Sequence, residues 1–285
     1  MRTQDRLRPV ASRQNALVKE LRRAFSSGDR TADGHCAIES VRILEEAIRS
    51  GLRFRAVFFR QSSQDVANRL LPQLGAHVET LILPDDVFAS AVATETPQGV
   101  AALVKLKTFE LEDALRPPEP LLLVASGIQD PGNLGTMLRS AEAFGASGVL
   151  LAERTVSPFN PKTVRASAGS LFRLPVVSVK LEDAMPALRG HGLRMIASSS
   201  HKGTPADEAD LSGPVALFIG SEAAGLPRDL ISQMDETVIV PHASRVESLN
   251  AAVAASVLLY ESSRQRKLRH NPPQRHRDTE ELEDQ

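Results

Sequence analysis

Two short apolar runs in the last third of the chain lead into polar residues that could bind and orient a ligand. Residues 215–219 precede a Gly-Ser-Glu triplet at 220–222, and residues 237–240 precede a Ser-Leu-Asn triplet at 248–250. Both runs are short and rich in aliphatic or β-branched residues, which predicts buried strands. Because open α/β sheets bind ligands at the carboxyl ends of their strands, we expect the Glu, Ser and Asn of these loops to line a ligand site.

A third polar stretch, residues 129–136, separates a predicted strand at 121–125 from a predicted helix. Asn133 falls in the strand-to-helix loop, and Arg139 lies on the helix. Together they could contact a substrate, although a helix start followed by an exposed arginine would give the same pattern. The stretch lacks the G-x-G-x-x-G spacing of a dinucleotide-binding loop, which disfavours a nucleotide-dependent Rossmann enzyme.

The three stretches resemble, in order, the three sequence signatures of SpoU/TrmH-type RNA ribose 2′-O-methyltransferases of the SPOUT superfamily. Asn133 and Arg139 match the first signature, residues 218–227 match the second, and Val240 with residues 247–250 match the third. The resemblance covers roughly residues 10–263. It implies an α/β chain whose C-terminal domain is a trefoil knot with a mostly parallel sheet. Periodicity alone would favour a Rossmann-like domain, because true knots are rare.

The resemblance also implies a reaction. A methyl group would pass from S-adenosyl-L-methionine to a ribose 2′-hydroxyl of RNA, and no metal is needed. It implies catalytic roles for Asn133, Arg139, Glu222, Ser248 and Asn250, and cofactor contacts for Gly220, Val240 and Leu249.

Several of these residues also have a purely structural explanation. Glu222 would suit the first turn of a helix, where the macrodipole favours a carboxylate, and Ser248 and Asn250 would both suit an N-cap. Arg139 is better suited to clamp a phosphate and polarise the hydroxyl than to act as a base, because guanidinium stays protonated far above neutral pH.

Ser244, three residues after Pro241, stands where the third signature usually has a glycine. Loss of a glycine can forbid a positive-φ turn.

A chain of 285 residues suits two domains. Alternating helix and strand patterns predict a small α/β domain at 1–106, which in the related family binds RNA. Residues 107–120 are charged and proline-rich and predict a stiff, extended linker. The knotted domain is expected at 121–263, and the blocks of opposite charge at 264–285 predict a disordered tail.

Charge is unevenly distributed along the chain. The net charge is −1, but residues 1–60 hold thirteen Lys and Arg against seven Asp and Glu, a local balance of +6. This favours RNA contact through phosphates, although a solvated surface is equally compatible. Arg22, Arg23 and Arg165 are the candidate RNA contacts. Ribosomal RNA is favoured over tRNA as the substrate, and a non-catalytic RNA-binding protein of the same fold is the alternative from another class.

Composition bears on location and assembly. Cys36 is the single cysteine, which excludes an intramolecular disulfide and fits a reducing compartment. No apolar run approaches the roughly 18 residues of a membrane span, and the N-terminus lacks an apolar signal core. A cytoplasmic protein with no membrane contact is expected. The resemblance implies a homodimer, and the Ala-rich helix after Asn250, apolar on all sides, is expected to be buried all round within it.

Overall fold

The computed structural model describes residues 6–94, 96–243, 245 and 247–270. The first half of the chain forms a mixed five-stranded sheet. Its strands are β1 (Arg8–Pro9), β2 (His35–Glu39), β3 (Arg53–Arg60), β4 (Glu79–Leu83) and β5 (Val100–Lys105). Its helices are α1 (Ala16–Ser27), α2 (Val41–Arg49), α3 (Gln64–Leu70) and α4 (Asp85–Ala89). The strand order is β1-β4-β3-β5-β2, with β5 antiparallel to both neighbours. Helices α1 and α4 cover one face and α2 and α3 the other, as expected for an α/β/α sandwich.

Helix α1 follows directly from its sequence pattern. Leu17, Leu21 and Phe25, spaced four residues apart, are all buried against the sheet. The helix begins after Asn15, whose side chain accepts a hydrogen bond from the Leu17 backbone N–H at 3.0 Å. It ends at Gly28, whose φ of +61° is the left-handed conformation that glycine adopts without cost.

The segment between the two sheets was predicted to be an extended linker, but part of it is helical. Residues 111–115 form helix α5 (Leu111–Leu115), which begins with a reciprocal capping box between Glu110 and Asp113. Ala114 is fully buried and contacts Gly148 so closely that any side chain there would collide with it. A helix of five residues is too short to give a periodic pattern. This part of the linker therefore belongs to the second folded unit.

The second sheet has seven strands, and every pairing in it is parallel. The strands are β6 (Leu121–Ala125), β7 (Gly148–Leu151), β8 (Val176–Ser178), β9 (Arg194–Ser199), β10 (Thr204–Pro205), β11 (Val215–Ile219) and β12 (Glu236–Ile239). The helices are α6 (Pro131–Ala143), α7 (Pro161–Ala166), α8 (Leu181–Gly190), α9 (Arg228–Ile231) and α10 (Ala251–His270). The strand order is β10-β12-β9-β11-β6-β7-β8. The central strands β6 and β11 are buried along their whole length, as their apolar runs predict. The predicted fold class, an α/β chain with a mostly parallel C-terminal sheet, is confirmed.

Helix α10 continues well past its predicted end. The sequence placed residues 264–285 in a disordered tail, but the helix runs to His270, and residues 271–285 lie outside the described part of the chain. The connection between β10 and β11 holds it there. The Ser262 hydroxyl donates to the Leu211 carbonyl at 2.8 Å, and Arg266 donates to the Gly213 carbonyl. The C-terminal helix thus lies behind a connection that precedes it in the chain, as a knotted topology requires. Among the described helices, none is both long enough and apolar enough to cross a bilayer.

The two sheets are joined by a packed interface. Arg173 bridges them, with ion pairs to Glu46 of α2 at 3.0 Å and to Glu142 of α6 at 2.6 Å. The guanidinium of Arg30 lies 4.7 Å from the ring centroid of Phe159. Helix α7 contacts β2, and one apolar cluster includes residues of both sheets.

Candidate active site

Helices α6 and α10 lie side by side and run in the same direction. Asn250 donates from Nδ2 to Oδ1 of Asn133 at 3.1 Å, near the start of each helix. Further along, the hydroxyls of Ser140 and Ser256 are 2.7 Å apart. Contacts that advance together along both helices establish parallel packing. The two N-termini therefore meet at the same edge of the sheet.

Local capping fixes each helix start. Asp130 accepts from the Asn133 backbone N–H at 2.9 Å and caps α6. Asn250 accepts from the Ala252 backbone N–H at 2.9 Å and caps α10. Of the two predicted N-cap candidates, Asn250 is therefore confirmed and Ser248 is wrong. Because Asn250 caps through its oxygen, its amide nitrogen is directed to other partners.

Glu222 lies between the two helix starts. Its Oε1 accepts hydrogen bonds from the side-chain amides of Asn133 and Asn250, the latter at 3.0 Å. Glu222 sits in a turn closed by a bridge between Ser221 and Gly225, not in the first turn of a helix. These bonds unite one residue from each of the three sequence stretches in a single polar cluster, hereafter the Asn-Glu-Asn cluster.

Two cavities meet at this cluster. The larger, of about 520 Å³, is lined by all three predicted cofactor residues, Gly220, Val240 and Leu249, together with Ser248. The smaller, of about 460 Å³, is lined by Asn133 and the loop after β6. Glu222 lines both cavities. A ligand in one cavity would therefore face a ligand in the other across the Glu222 turn.

The larger cavity suits a cofactor held partly by backbone groups. Gly220 is buried, and a Cβ at this position would collide with the backbone of Gly225. Only glycine fits there, which lets the chain fold back tightly beside the cavity. Val240 and Leu249 add apolar side chains to the lining of this cavity.

Sequence reasoning missed several lining residues of the larger cavity. His201 and His242 both line it, as do Ser198 and Arg228. The rule that ligands bind at the carboxyl ends of parallel strands could have found His201. Strand β9 is parallel to its neighbours and ends at Ser199, so the residues that follow it reach the same edge as Glu222.

The predicted arginines lie in different surroundings. Arg139 is exposed on α6 and has no hydrogen bond or ion pair within the described residues. It does not contact Glu222, whose partners are the two asparagines. Arg165 is half-buried on α7, near the buried carboxylate of Glu39 from β2. Its role as a phosphate contact stays a prediction.

On α1, the two predicted RNA contacts differ. Arg22 donates to the Ser90 carbonyl at 2.9 Å and to its hydroxyl at 3.1 Å, whereas Arg23 is exposed and without a partner in the described chain. Ser244 lies outside the described residues, so its effect on the loop before Ser248 stays a prediction.

A parallel α/β domain with two cavities meeting at a hydrogen-bonded carboxylate defines a class of enzyme that brings a cofactor and a second substrate together. The family model of the SpoU rRNA Methylase family matches residues 120–260, and that of an MRM3-like substrate binding domain matches residues 15–102. Relatives over nearly the whole chain agree with these matches. The chain belongs to the SpoU rRNA methylase family.

The relatives include enzymes with assigned targets. The 23S rRNA (guanosine(2553)-2′-O)-methyltransferase RlmP of Bacillus subtilis is 32% identical over 89% of this chain and 98% of its own length. The 23S rRNA (uridine(2479)-2′-O)-methyltransferase of Streptomyces viridochromogenes is 31% identical over 83% of this chain and 85% of its own. The crystal structure of the SpoU methyltransferase AviRb from that organism, in complex with AdoMet, has a TM-score of 0.79 at 29% identity and covers 89% of this chain and 98% of its own.

Proposed function

We propose that this protein is an S-adenosyl-L-methionine-dependent methyltransferase that modifies a ribose 2′-hydroxyl of ribosomal RNA. The Asn-Glu-Asn cluster, placed where two cavities meet, is the observation that carries the proposal. Two relatives that match most of this chain are named as 23S rRNA 2′-O-methyltransferases, which favours ribosomal RNA over tRNA.

Each cavity receives one reactant in this proposal. Gly220, Val240 and Leu249 would hold S-adenosyl-L-methionine, which supplies an electrophilic methyl group when bound. The ribose would occupy the smaller cavity beside Asn133. Holding both reactants in fixed orientation lowers the entropic part of the barrier and supplies much of the rate.

Glu222 would orient the acceptor hydroxyl. Its Oε1 is occupied by the two asparagine amides, while its Oε2 has no hydrogen-bond partner within the described residues. Oε2 can therefore accept a hydrogen bond from the ribose 2′-hydroxyl and hold its proton as the oxygen reacts. The two amides fix the carboxylate, so its position does not depend on the substrate.

Arg139 lines neither cavity of its own chain, so it would act from the exposed surface of α6 on RNA bound over the smaller cavity. An exposed guanidinium without an acidic partner can bind a phosphate or stabilise a developing alkoxide. A metal is not required for either role. The charge is permanent at neutral pH, which favours electrostatic stabilisation over proton abstraction.

We further propose that the protein works as a homodimer through α10. The apolar residues of this helix divide into a buried set and an exposed set. Ala255 is fully buried within its own chain, whereas Val253, Val257 and Tyr260 are 48%, 37% and 54% exposed. The exposed set recurs at four- and three-residue spacing and forms one apolar stripe. A second copy of the same stripe is the natural cover, since isologous contact is self-complementary. Because Ala255 is buried within its own chain, it does not belong to this stripe.

Residues 1–106 would deliver the RNA, with Arg23 as one phosphate contact. Its exposure on α1 and the match to a substrate-binding domain support this role. The knotted unit would then comprise residues 121–263 as predicted, extended by α5 and by the end of α10.

The test is methyl transfer in vitro. Purified protein with tritiated S-adenosyl-L-methionine should label ribosomal RNA on a ribose, and transfer much less label to tRNA. Primer extension at low nucleotide concentration would map the site. Efficient labelling of tRNA alone would favour the tRNA alternative. Tight cofactor-free RNA binding with no labelling of any RNA would favour a non-catalytic RNA-binding protein.

A further inference from the structure

Arg154, in the loop after β7, has an unusual backbone conformation. Its φ is +60°, one of three positive φ values among the described non-glycine residues. A left-handed conformation is unfavourable for a residue with a Cβ, so surrounding structure must impose it. Such strain is concentrated at sites where function requires it. No sequence pattern singled out Arg154 as a candidate site residue.

The neighbouring Thr155 holds the strained turn in place. Its hydroxyl donates to the Ala125 carbonyl at 3.0 Å and accepts from the Gly127 backbone N–H at 3.1 Å. Both bonds tie the turn to the end of β6 and the loop that follows it. The position of Arg154 is therefore set by the backbone and not by its own side chain.

Arg154 lines the smaller cavity with Asn133 and Glu222. Arg154 is exposed and has no ion pair or hydrogen bond within the described residues. The nearby Asp130 is paired with Lys162 at 2.9 Å, and this bond lowers the pKa of the Asp130 carboxyl. Arg154 is thus a cation without an acidic partner in the cavity assigned to the ribose.

We propose that Arg154 binds a phosphate group of the nucleotide to be methylated. The inference rests on the proposed function and adds a residue that positions its substrate. A guanidinium offers two parallel N–H donors that match two phosphate oxygens, and a ribose carries its phosphates within the same nucleotide. A cation in the ribose cavity is therefore placed to fix the sugar against Glu222. The backbone conformation sets the direction in which this side chain leaves the loop.

The backbone conformation makes an unusually clean test possible. Arg154→Gly removes the guanidinium and relieves the strain, so its melting temperature should equal or exceed that of wild type. Its KM for RNA should rise about ten- to hundredfold, the expected loss for a charge-assisted contact. kcat at saturating RNA and affinity for S-adenosyl-L-methionine should stay within about twofold. Arg154→Lys keeps the charge without the fork and should give an intermediate KM.

Ala168→Gly is the matched control, because Ala168 has a φ of +50° and carries no functional group. It should raise the melting temperature without changing KM. Wild-type activity with an unchanged KM in Arg154→Gly, or a loss confined to kcat, would overturn the assignment of Arg154. Wild-type protein that methylates no RNA would instead defeat the proposed function itself. If Arg154→Gly does not fold, an unchanged KM in Arg154→Lys still refutes the bidentate contact.

Discussion

The two sheets of this protein place polar groups in different ways. All pairings in the C-terminal sheet are parallel, so β6 and β11 end at one edge, and the loops after them carry Asn133 and Glu222 to the same point. In the N-terminal sheet, β5 is antiparallel to β2 and β3, so strand ends are divided between two edges. Its charged groups lie instead on helices and strand faces. Strand direction thus gathers the proposed catalytic site, whereas the proposed RNA contact would need only a charged surface.

Fewer positively charged side chains of the N-terminal half are unpaired than its sequence suggests. Arg8 and Arg55 both pair with Glu79, at 2.9 and 2.8 Å, and Arg13 pairs with Asp86 at 2.7 Å. These carboxylates lie beyond residue 60, so the balance of +6 leaves them out. Over residues 1–106 there are fifteen Lys and Arg against twelve Asp and Glu, a balance of +3. The proposed RNA contact would therefore depend on the few cations without partners among the described residues, such as Arg23.

The largest effect is expected at the catalytic edge. Arg139→Ala should lower kcat by about a hundred- to thousandfold, since a lost electrostatic contact to the transition state costs that much. Affinity for S-adenosyl-L-methionine should hardly change, because Arg139 does not line the larger cavity. Calorimetry and a tritiated-methyl assay measure the two quantities. Arg116→Ala, at an exposed ion pair of the linker, is the control. Turnover close to wild type would remove Arg139 from the catalytic group.

The next effect concerns assembly of the catalytic half. Val257→Arg should convert the dimer to a monomer, because an unpaired charge in a dry contact costs several kcal/mol. Cofactor affinity should fall with it, since α10 also begins at the larger cavity. Sedimentation at micromolar concentration gives the oligomeric state. Glu182→Arg, on the exposed side of α8, should leave the dimer intact. Wild-type protein that sediments as an active monomer would contradict the dimer.

Arg22 and Arg23 are adjacent on α1, but we expect one to affect stability and the other RNA binding. Arg23→Ala should weaken RNA binding a few-fold and reduce the log–log salt slope by about 0.7 to 0.9, the release expected for one phosphate contact. Arg22→Ala should instead lower the melting temperature, because Arg22 is bonded to Ser90. Fluorescence anisotropy over a salt series, with thermal denaturation, measures both. Equal RNA affinities of the two variants would place RNA contact elsewhere in the N-terminal domain.

The smallest effect tests the contact between the halves. Burial raises the pKa of Glu39, so the folded protein binds a proton where the unfolded chain has lost one. Stability contributed by this residue therefore falls as pH rises from the ordinary glutamate value through the raised one. Glu39→Gln should raise the melting temperature by roughly 1–3 °C at neutral pH and change little near pH 4. Destabilisation at neutral pH would mean that attraction to Arg165 outweighs the cost of burial.

The sequence by itself determined the strands and the membership of the Asn-Glu-Asn cluster. Runs such as 121–125 and 215–219 are apolar throughout because both faces of a parallel strand are buried. Asn133, Glu222 and Asn250 lie in stretches that follow such runs, and the resemblance of these stretches to the three family signatures selected them. The same local rules predicted α1 from its apolar stripe and its glycine stop.

Only the tertiary structure decided what depends on residues distant in the chain. It joined Asn250 to Asn133 and Glu222, tied Arg22 to Ser90, set Arg165 beside Glu39, and extended α10 to His270 behind an earlier connection. It also placed Arg154 at the smaller cavity, in a turn bonded through Thr155 to the end of β6. Periodicity and propensity act over a few residues, whereas these partners are separated by up to 126 positions. Such contacts exist only once the sheets have assembled.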